Sequence, residues 1–159
     1  MMRVLKILLT LYSLFIFGGI SYLILFGDRE TVGTPVALFV FSGIAIVTSV
    51  LNVFYHVKSF RFYQRKEKRQ LDRKLPVILW IGTICFSLLL LCTAGDSMYN
   101  LIQMYRYGYA GRYLFSVLTF LVPGLLGFLE VLILKKRIKR LKAIVATKNE
   151  INEIGNQTE

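Results

Sequence analysis

The sequence predicts an all-α integral membrane protein, built as a four-transmembrane-helix bundle. Its 159 residues are 55% hydrophobic, and the apolar residues gather in four long runs. The predicted spans are residues 4–26, 35–57, 75–94 and 114–134. Each has roughly the 20 residues that a helix needs to cross about 30 Å of hydrocarbon. Four such runs leave too little polar sequence to cover a soluble core, and only helices satisfy their backbone in lipid over runs of this length.

The basic residues separate between two sets of connecting segments. Seventeen of the 20 lysines and arginines lie in three places. These are the N-terminus with Arg3 and Lys6, residues 58–74, and the segment after Leu134. The other three are Arg29, Arg106 and Arg112. By the positive-inside rule, both termini and 58–74 are expected to be cytoplasmic, with 27–34 and 95–113 outside. An even number of spans also places both termini on one side. We expect a multi-pass protein of a bacterial inner membrane.

The basic residues next to the spans predict contact with anionic lipid headgroups, at about 1 kcal/mol per residue. The expected contact residues are Lys58, Arg61, Arg65, Lys135, Lys136 and Arg137. Basic stretches also occur in nucleic-acid-binding proteins. Their position beside the membrane favours a topology signal and lipid attraction, so the bilayer is the expected partner and nucleic acid is not.

The sequence contains no recognisable catalytic, metal-binding or redox motif. Cys85 and Cys92 lie about 10 Å apart along a helix axis, which is too far for a disulfide. The one histidine, His56, cannot form a zinc site alone. No Ser/His/Asp set, paired carboxylates, phosphate-binding glycine loop or redox cysteine pair is present. We therefore expect a non-catalytic protein with no cofactor and no metal.

The segment between spans three and four holds five of the nine tyrosines. Met98, Leu101, Ile102 and Tyr105 recur at helical spacing, which predicts an amphipathic segment over 96–112 on the outer surface. Its aromatic rings could anchor it at the interface or form an external recognition surface, since Tyr and Arg are favoured at binding hot spots. The candidate outer-face contact residues are Tyr99, Tyr105, Arg106, Tyr107, Tyr109 and Arg112.

Two cytoplasmic segments are expected to be helical. Helix-forming residues follow span two without a breaker, so this helix is expected to continue towards Lys74. Residues 135–159 form a basic amphipathic tail whose apolar positions include Ile138, Leu141 and Ile151. This tail either lies along the inner membrane surface or pairs with another helix.

Small and polar residues form a stripe on each of three spans, and such stripes mark helix contacts in lipid. On span two the stripe is Ser42, Ala45, Ser49, Asn52 and His56. On span three it is Gly82, Cys85, Cys92, Thr93 and Asp96. On span four it is Ser116, Thr119, Pro123, Gly127 and Glu130, while Leu118, Leu121 and Leu125 are expected to face lipid. Pro123 withholds a donor from the carbonyl of Thr119 and predicts a kink.

Glu130 is the candidate site, because a carboxylate inside a membrane span is expected to face the bundle and find a partner. Spans two and four run in the same direction, and Asn52 and His56 lie at about the depth of Glu130. We predict a polar cluster of these three residues, with Glu130 in contact with Asn52 or His56. The cluster could join two helices, or the Glu130 carboxylate could extend towards Lys136 or Arg137 at the interface. Alternatively, Glu130 could be a protonatable residue in an ion or solute pathway.

With no catalytic constellation, the sequence favours a protein that acts through protein contacts, as an accessory, regulatory or immunity-type subunit. Its size, four spans and basic cytoplasmic side are similar in architecture to immunity proteins against pore-forming toxins, but no shared motif carries that likeness. The expected partner is another protein or further copies of this chain. The alternative is an oligomeric small transporter or channel subunit that uses Glu130.

The charge split gives a test of topology. In a chain whose two native cysteines are replaced, Thr31→Cys and Lys148→Cys should react with a membrane-impermeant thiol reagent from opposite sides. Intact vesicles and permeabilised vesicles provide the two conditions. Labelling of both positions from one side would contradict the predicted orientation.

Overall fold

The computed structural model of the protein describes residues 2–26, 36–63, 75–104 and 110–156, and its regular elements are all helical. They are α1 (Met2–Phe26), α2 (Val36–Ser59), a 3-10 turn (Phe60–Tyr63), α3 (Val77–Met104) and α4 (Ala110–Asn156). All four α-helices are long and apolar enough to cross a membrane, which confirms the predicted four-helix membrane class. Residues 27–34, where one outer segment is predicted, lie outside the described residues.

Consecutive helices pack against one another, whereas α1 and α4 approach at only a few positions. Glycines allow two of the close contacts. A Cβ at Gly82 of α3 would lie 2.5 Å from the Leu51 Cβ of α2, and one at Gly124 of α4 would lie 3.0 Å from Leu91 of α3. Small residues let helix backbones approach in lipid, where van der Waals packing replaces the hydrophobic driving force between helices.

One end of the bundle, here called the basic end, contains the main apolar cluster. The cluster comprises Tyr55, Phe62, Tyr63, Leu75, Leu79, Val131, Leu134 and Leu141. The expectation that helix α2 continues towards Lys74 is wrong, because α2 ends at Ser59 and the 3-10 turn follows. The turn buries Phe62 and Tyr63 in the cluster, and burial of two aromatic rings outweighs the helical propensity of the segment.

Helix α3 differs from its prediction in length and in the face that it buries. It continues to Met104, so residues 96–104 extend α3 and do not begin a separate surface segment. Cys92 and Asp96 of the predicted stripe are exposed. Gly82 of that stripe is buried as predicted, and Cys85 and Thr93 are half-buried. The other buried residues of α3 are Leu79, Thr83, Phe86, Ser87, Leu90, Ala94 and Ser97. These residues are spaced three and four apart, as in helices that pack with a left-handed supercoil. In such packing, large apolar side chains occupy contact positions as readily as small ones.

The stripes on α2 and α4 fit the structure better. Ala45, Ser49, Asn52 and His56 are buried on α2, as are Gly127 and Glu130 on α4. Leu118 and Leu125 are exposed on the surface that would face lipid, and Leu121 is intermediate. Helix α4 continues through Pro123 and past Leu134 as a single helix of 47 residues.

Helix α1 supplies a hydrogen-bond donor to the backbone carbonyl that Pro123 leaves without one. Proline has no N–H, so the carbonyl of Thr119, four residues earlier, loses its helical donor. The Tyr12 hydroxyl of α1 donates to that carbonyl at 2.9 Å. An unpaired carbonyl in hydrocarbon would be costly, and neighbouring helices commonly satisfy such groups. This hydrogen bond is one of the few links between α1 and α4.

Tyr12→Phe should therefore destabilise the bundle by about 0.6–1.7 kcal/mol, the range for hydrogen bonds between membrane helices. In a Pro123→Ala background the Thr119 carbonyl regains a donor within its own helix, so the same substitution should cost less. Reversible unfolding in mixed micelles measures both values. Tyr99→Phe, on an exposed side chain of α3, is the control. An equal cost in both backgrounds would show that the hydroxyl does not compensate for the proline.

Candidate functional site

A buried ion pair joins the first helix to the last near the basic end. The Lys6 Nζ of α1 lies 2.5 Å from the Glu130 Oε1 of α4. Lys6 is 1% exposed and Glu130 is 0% exposed. Charged residues inside membrane spans characteristically face the bundle and pair with one another, as these do.

Helix α2 and the turn after it complete the surroundings of the Lys6 ammonium. Lys6 Nζ donates to the Ser59 Oγ at 2.5 Å, and the Ser59 Oγ donates to the His56 carbonyl at 3.2 Å. The rings of Tyr55 and Tyr63 each lie with their centroids 5.2 Å from the ammonium. Both rings therefore contribute cation–π attraction, which is stronger where water is excluded.

Two arginines fix the turn beside this pair. Arg3 of α1 donates from Nε and Nη2 to the Tyr63 carbonyl, at 3.1 and 2.5 Å. Arg137 of α4 donates to the Phe62 carbonyl at 2.7 Å, and its guanidinium lies 4.7 Å from the Tyr63 ring centroid. The carbonyls of the 3-10 turn thus receive donors from both α1 and α4, and Tyr63 is held where it contacts Lys6.

The predicted partner of Glu130 is wrong, although its inward orientation agrees with the structure. Glu130, Asn52 and His56 are all buried. Asn52 donates instead to the Ser13 Oγ of α1 at 2.7 Å, and neither ring nitrogen of His56 has a hydrogen-bond partner among the described residues. Helix α1 supplies the ion-pair partner of Glu130 and the hydrogen-bond partner of Asn52.

The partner of Glu130 is Lys6, which the charge pattern of the sequence groups with the basic N-terminal segment. A signal was present. Lys6 and Ser13 are seven residues apart and share a face of α1 with Leu9, and these three are the buried residues of the described part of that helix. Two polar residues that lie seven apart on an otherwise apolar helix share one face, and that face is expected to point into the bundle.

Several buried polar atoms around the pair have no hydrogen-bond partner within the described part of the chain. Tyr55 interacts electrostatically with Glu130, but its hydroxyl lies outside hydrogen-bond geometry. The atoms are Ser49 Oγ, Asn52 Oδ1, Tyr55 Oη, both ring nitrogens of His56, Tyr63 Oη, Thr83 Oγ1 and Glu130 Oε2. Buried polar groups are normally paired with protein or ordered water, so these atoms are the positions where further hydrogen bonds could form.

The predicted lipid-contact residues divide into two groups. Lys58, Lys135 and Lys136 are exposed, whereas Arg137 binds the 3-10 turn and the Arg61 guanidinium lies 5.0 Å from the Phe62 ring centroid. Arg65 lies outside the described residues. Arg137 and Arg61 are thus engaged by the protein itself, because the turn brings carbonyls and aromatic rings within their reach.

The predicted outer-face contact falls largely beyond the described residues. Tyr99 is 62% exposed on α3. The rest of that set is not described at side-chain level: Tyr105, Arg106, Tyr107, Tyr109 and Arg112. Within the described ranges, no group of three or more His, Cys, Asp or Glu side chains could hold a metal ion.

No protein-family model, curated protein or solved structure matches this chain. Function must therefore be argued from the geometry. The Lys6–Glu130 pair is neutral as a whole, is enclosed by three helices, and connects two helices that otherwise meet at few positions.

Loss of either charge should destabilise the bundle strongly. Lys6→Met or Glu130→Gln leaves a buried charge without its partner, which costs about 3–5 kcal/mol where it has been measured. The double variant removes both charges and should cost much less than the sum of the two. Lys58→Met, at an exposed position on α2, is the matched control. Additive losses in unfolding experiments would show that the two side chains do not interact.

Proposed function

We propose that this chain is a non-catalytic multi-pass membrane protein that acts through protein contacts, as an accessory, regulatory or immunity-type subunit. We further propose that the basic end faces the cytoplasm, on the strength of the charge split between the connecting segments. The observation that carries the proposal is the extension of α4 beyond the bundle.

Helix α4 runs about 15 residues past Leu141, the last buried residue of the apolar cluster. At 1.5 Å per residue this extension is about 22 Å long. Ile144 and Ile151 lie seven residues apart on it and are 50% and 63% exposed. An isolated helix of this length has little stability in water, and an exposed apolar stripe at heptad spacing is the usual contact surface for a second helix.

The continuity of α4 favours a protein partner over the membrane surface. No glycine or proline interrupts the helix between Gly127 and Gly155. A helix that leaves its transmembrane span without a breaker keeps its direction, whereas lying flat on the membrane requires a sharp bend. The extension is therefore expected to project from the bilayer and present Ile144 and Ile151 to a helix of another molecule.

Ile144→Gln with Ile151→Gln should weaken partner binding while leaving the bundle folded. Ala143→Gln with Ala146→Gln, at exposed positions off the apolar stripe, is the matched control. Crosslinking in native membranes, purification in mild detergent and mass spectrometry would give partner identity and stoichiometry. We expect at least a fivefold loss of the crosslinked species with the isoleucine pair alone. Recovery of wild type only as an isolated monomer would refute the proposal.

A second candidate function is an oligomeric transporter or channel subunit. The unpartnered buried polar atoms of the bundle interior favour it, because polar groups in a membrane interior often line ion or solute pathways. Purified protein in liposomes should then show a flux that His56→Gln or Asn52→Ala changes, with Glu130→Gln altering its pH dependence. Flux that is the same in all three variants would make the cluster structural, and circular dichroism checks that each variant is folded.

A further inference from the structure

A groove between α3 and α4 opens on the side of the bundle that would face lipid, near the basic end. Its volume is about 500 Å³, and its lining residues are Trp80, Ile84, Phe128, Val131, Leu132 and Lys135. Val131 is buried, and Trp80 and Ile84 pack against the apolar cluster, so the floor of the groove belongs to the core. Leu132 is 61% exposed at its edge.

Position and composition restrict what can occupy this groove. Five of the six lining residues are apolar or aromatic, and all six belong to helices that can span the membrane. At this depth the surroundings are acyl chains or another membrane helix. A hydrocarbon chain fits an apolar groove of this kind, since it has no polar group to leave unpaired.

Lys135 decides between these occupants. It is exposed and lies one turn beyond Val131 and Leu132, where α4 reaches the basic end. Within the described spanning segments, a second copy of the chain packed here offers no suitable anion. Among the described spanning residues the carboxylates are Asp96, near the opposite end of α3, and Glu130, which is buried and paired. A lipid phosphate supplies the missing negative charge.

We propose that the α3–α4 groove binds one anionic phospholipid, with an acyl chain along Trp80, Ile84 and Phe128 and the phosphate on Lys135. The ammonium of Lys135 would donate to the phosphate oxygens as a charge-assisted hydrogen bond. The site is independent of the helical extension that carries the proposed function.

The single tryptophan makes the groove directly observable. Trp80 is the only tryptophan in the chain, so its fluorescence reports this groove alone. The protein is reconstituted in bilayers of phosphatidylcholine with brominated acyl chains, which quench an adjacent indole. Unbrominated phosphatidylglycerol or unbrominated phosphatidylcholine is then added at equal mole fractions, and the recovery of fluorescence measures how each lipid competes for the groove.

Phosphatidylglycerol should compete about fivefold better than phosphatidylcholine, the factor that corresponds to about 1 kcal/mol for one basic residue near an anionic surface. Lys135→Gln should abolish this preference. Lys136→Gln, at an exposed neighbouring position that does not line the groove, should retain it. Unchanged quenching in pure brominated phosphatidylcholine shows that both variants keep the groove.

Three results would overturn the proposal. Equal competition by the two lipids would mean that the groove holds acyl chains without selecting a headgroup. Equal loss of preference in the two lysine variants would indicate diffuse surface charge. Absence of quenching by brominated lipid would mean that protein covers the groove, and crosslinked dimers would then identify a second copy as the occupant.

Discussion

The ion pair between Lys6 and Glu130 is the interaction on which the arrangement of the four helices depends. Each helix packs against its neighbour in sequence, but α1 and α4 approach at only a few positions. In lipid no hydrophobic driving force brings two apolar helices together, so polar contacts and close packing decide which helices meet. The pair links the first helix to the last, and the Tyr12–Thr119 hydrogen bond adds a second link farther along the same two helices.

The cost of burying two charges is met by several contacts at once. A buried ion pair stabilises a fold only where its geometry is good and its remaining donors are satisfied. Here the ammonium has a carboxylate, a hydroxyl and two aromatic rings around it. The carboxylate is less well satisfied, since Glu130 Oε2 has no hydrogen-bond partner among the described residues. This asymmetry is the structural feature on which the second candidate function rests.

Helix α4 contains residues of the ion pair, of the α3–α4 groove and of the extension beyond the bundle. Glu130 belongs to the interior, Lys135 borders the lipid-facing groove, and Ile144 and Ile151 lie on the extension beyond the bundle. These sites follow one another along an unbroken helix. A partner bound to the extension would therefore contact the same helix that carries Glu130 and borders the α3–α4 groove.

The sequence by itself determined the four helices, their apolar character and the inward orientation of Glu130. These follow from run length, from the cost of exposing backbone to lipid and from the cost of a charge in hydrocarbon. Only the tertiary structure decided that Lys6 is the partner. Depth matching places Asn52 and His56 level with Glu130 but does not indicate that α1 supplies the partners of both Glu130 and Asn52. Likewise, helical propensity favoured continuation of α2, whereas burial of Phe62 and Tyr63 against α4 ended it, because contacts distant in sequence outweigh local preference.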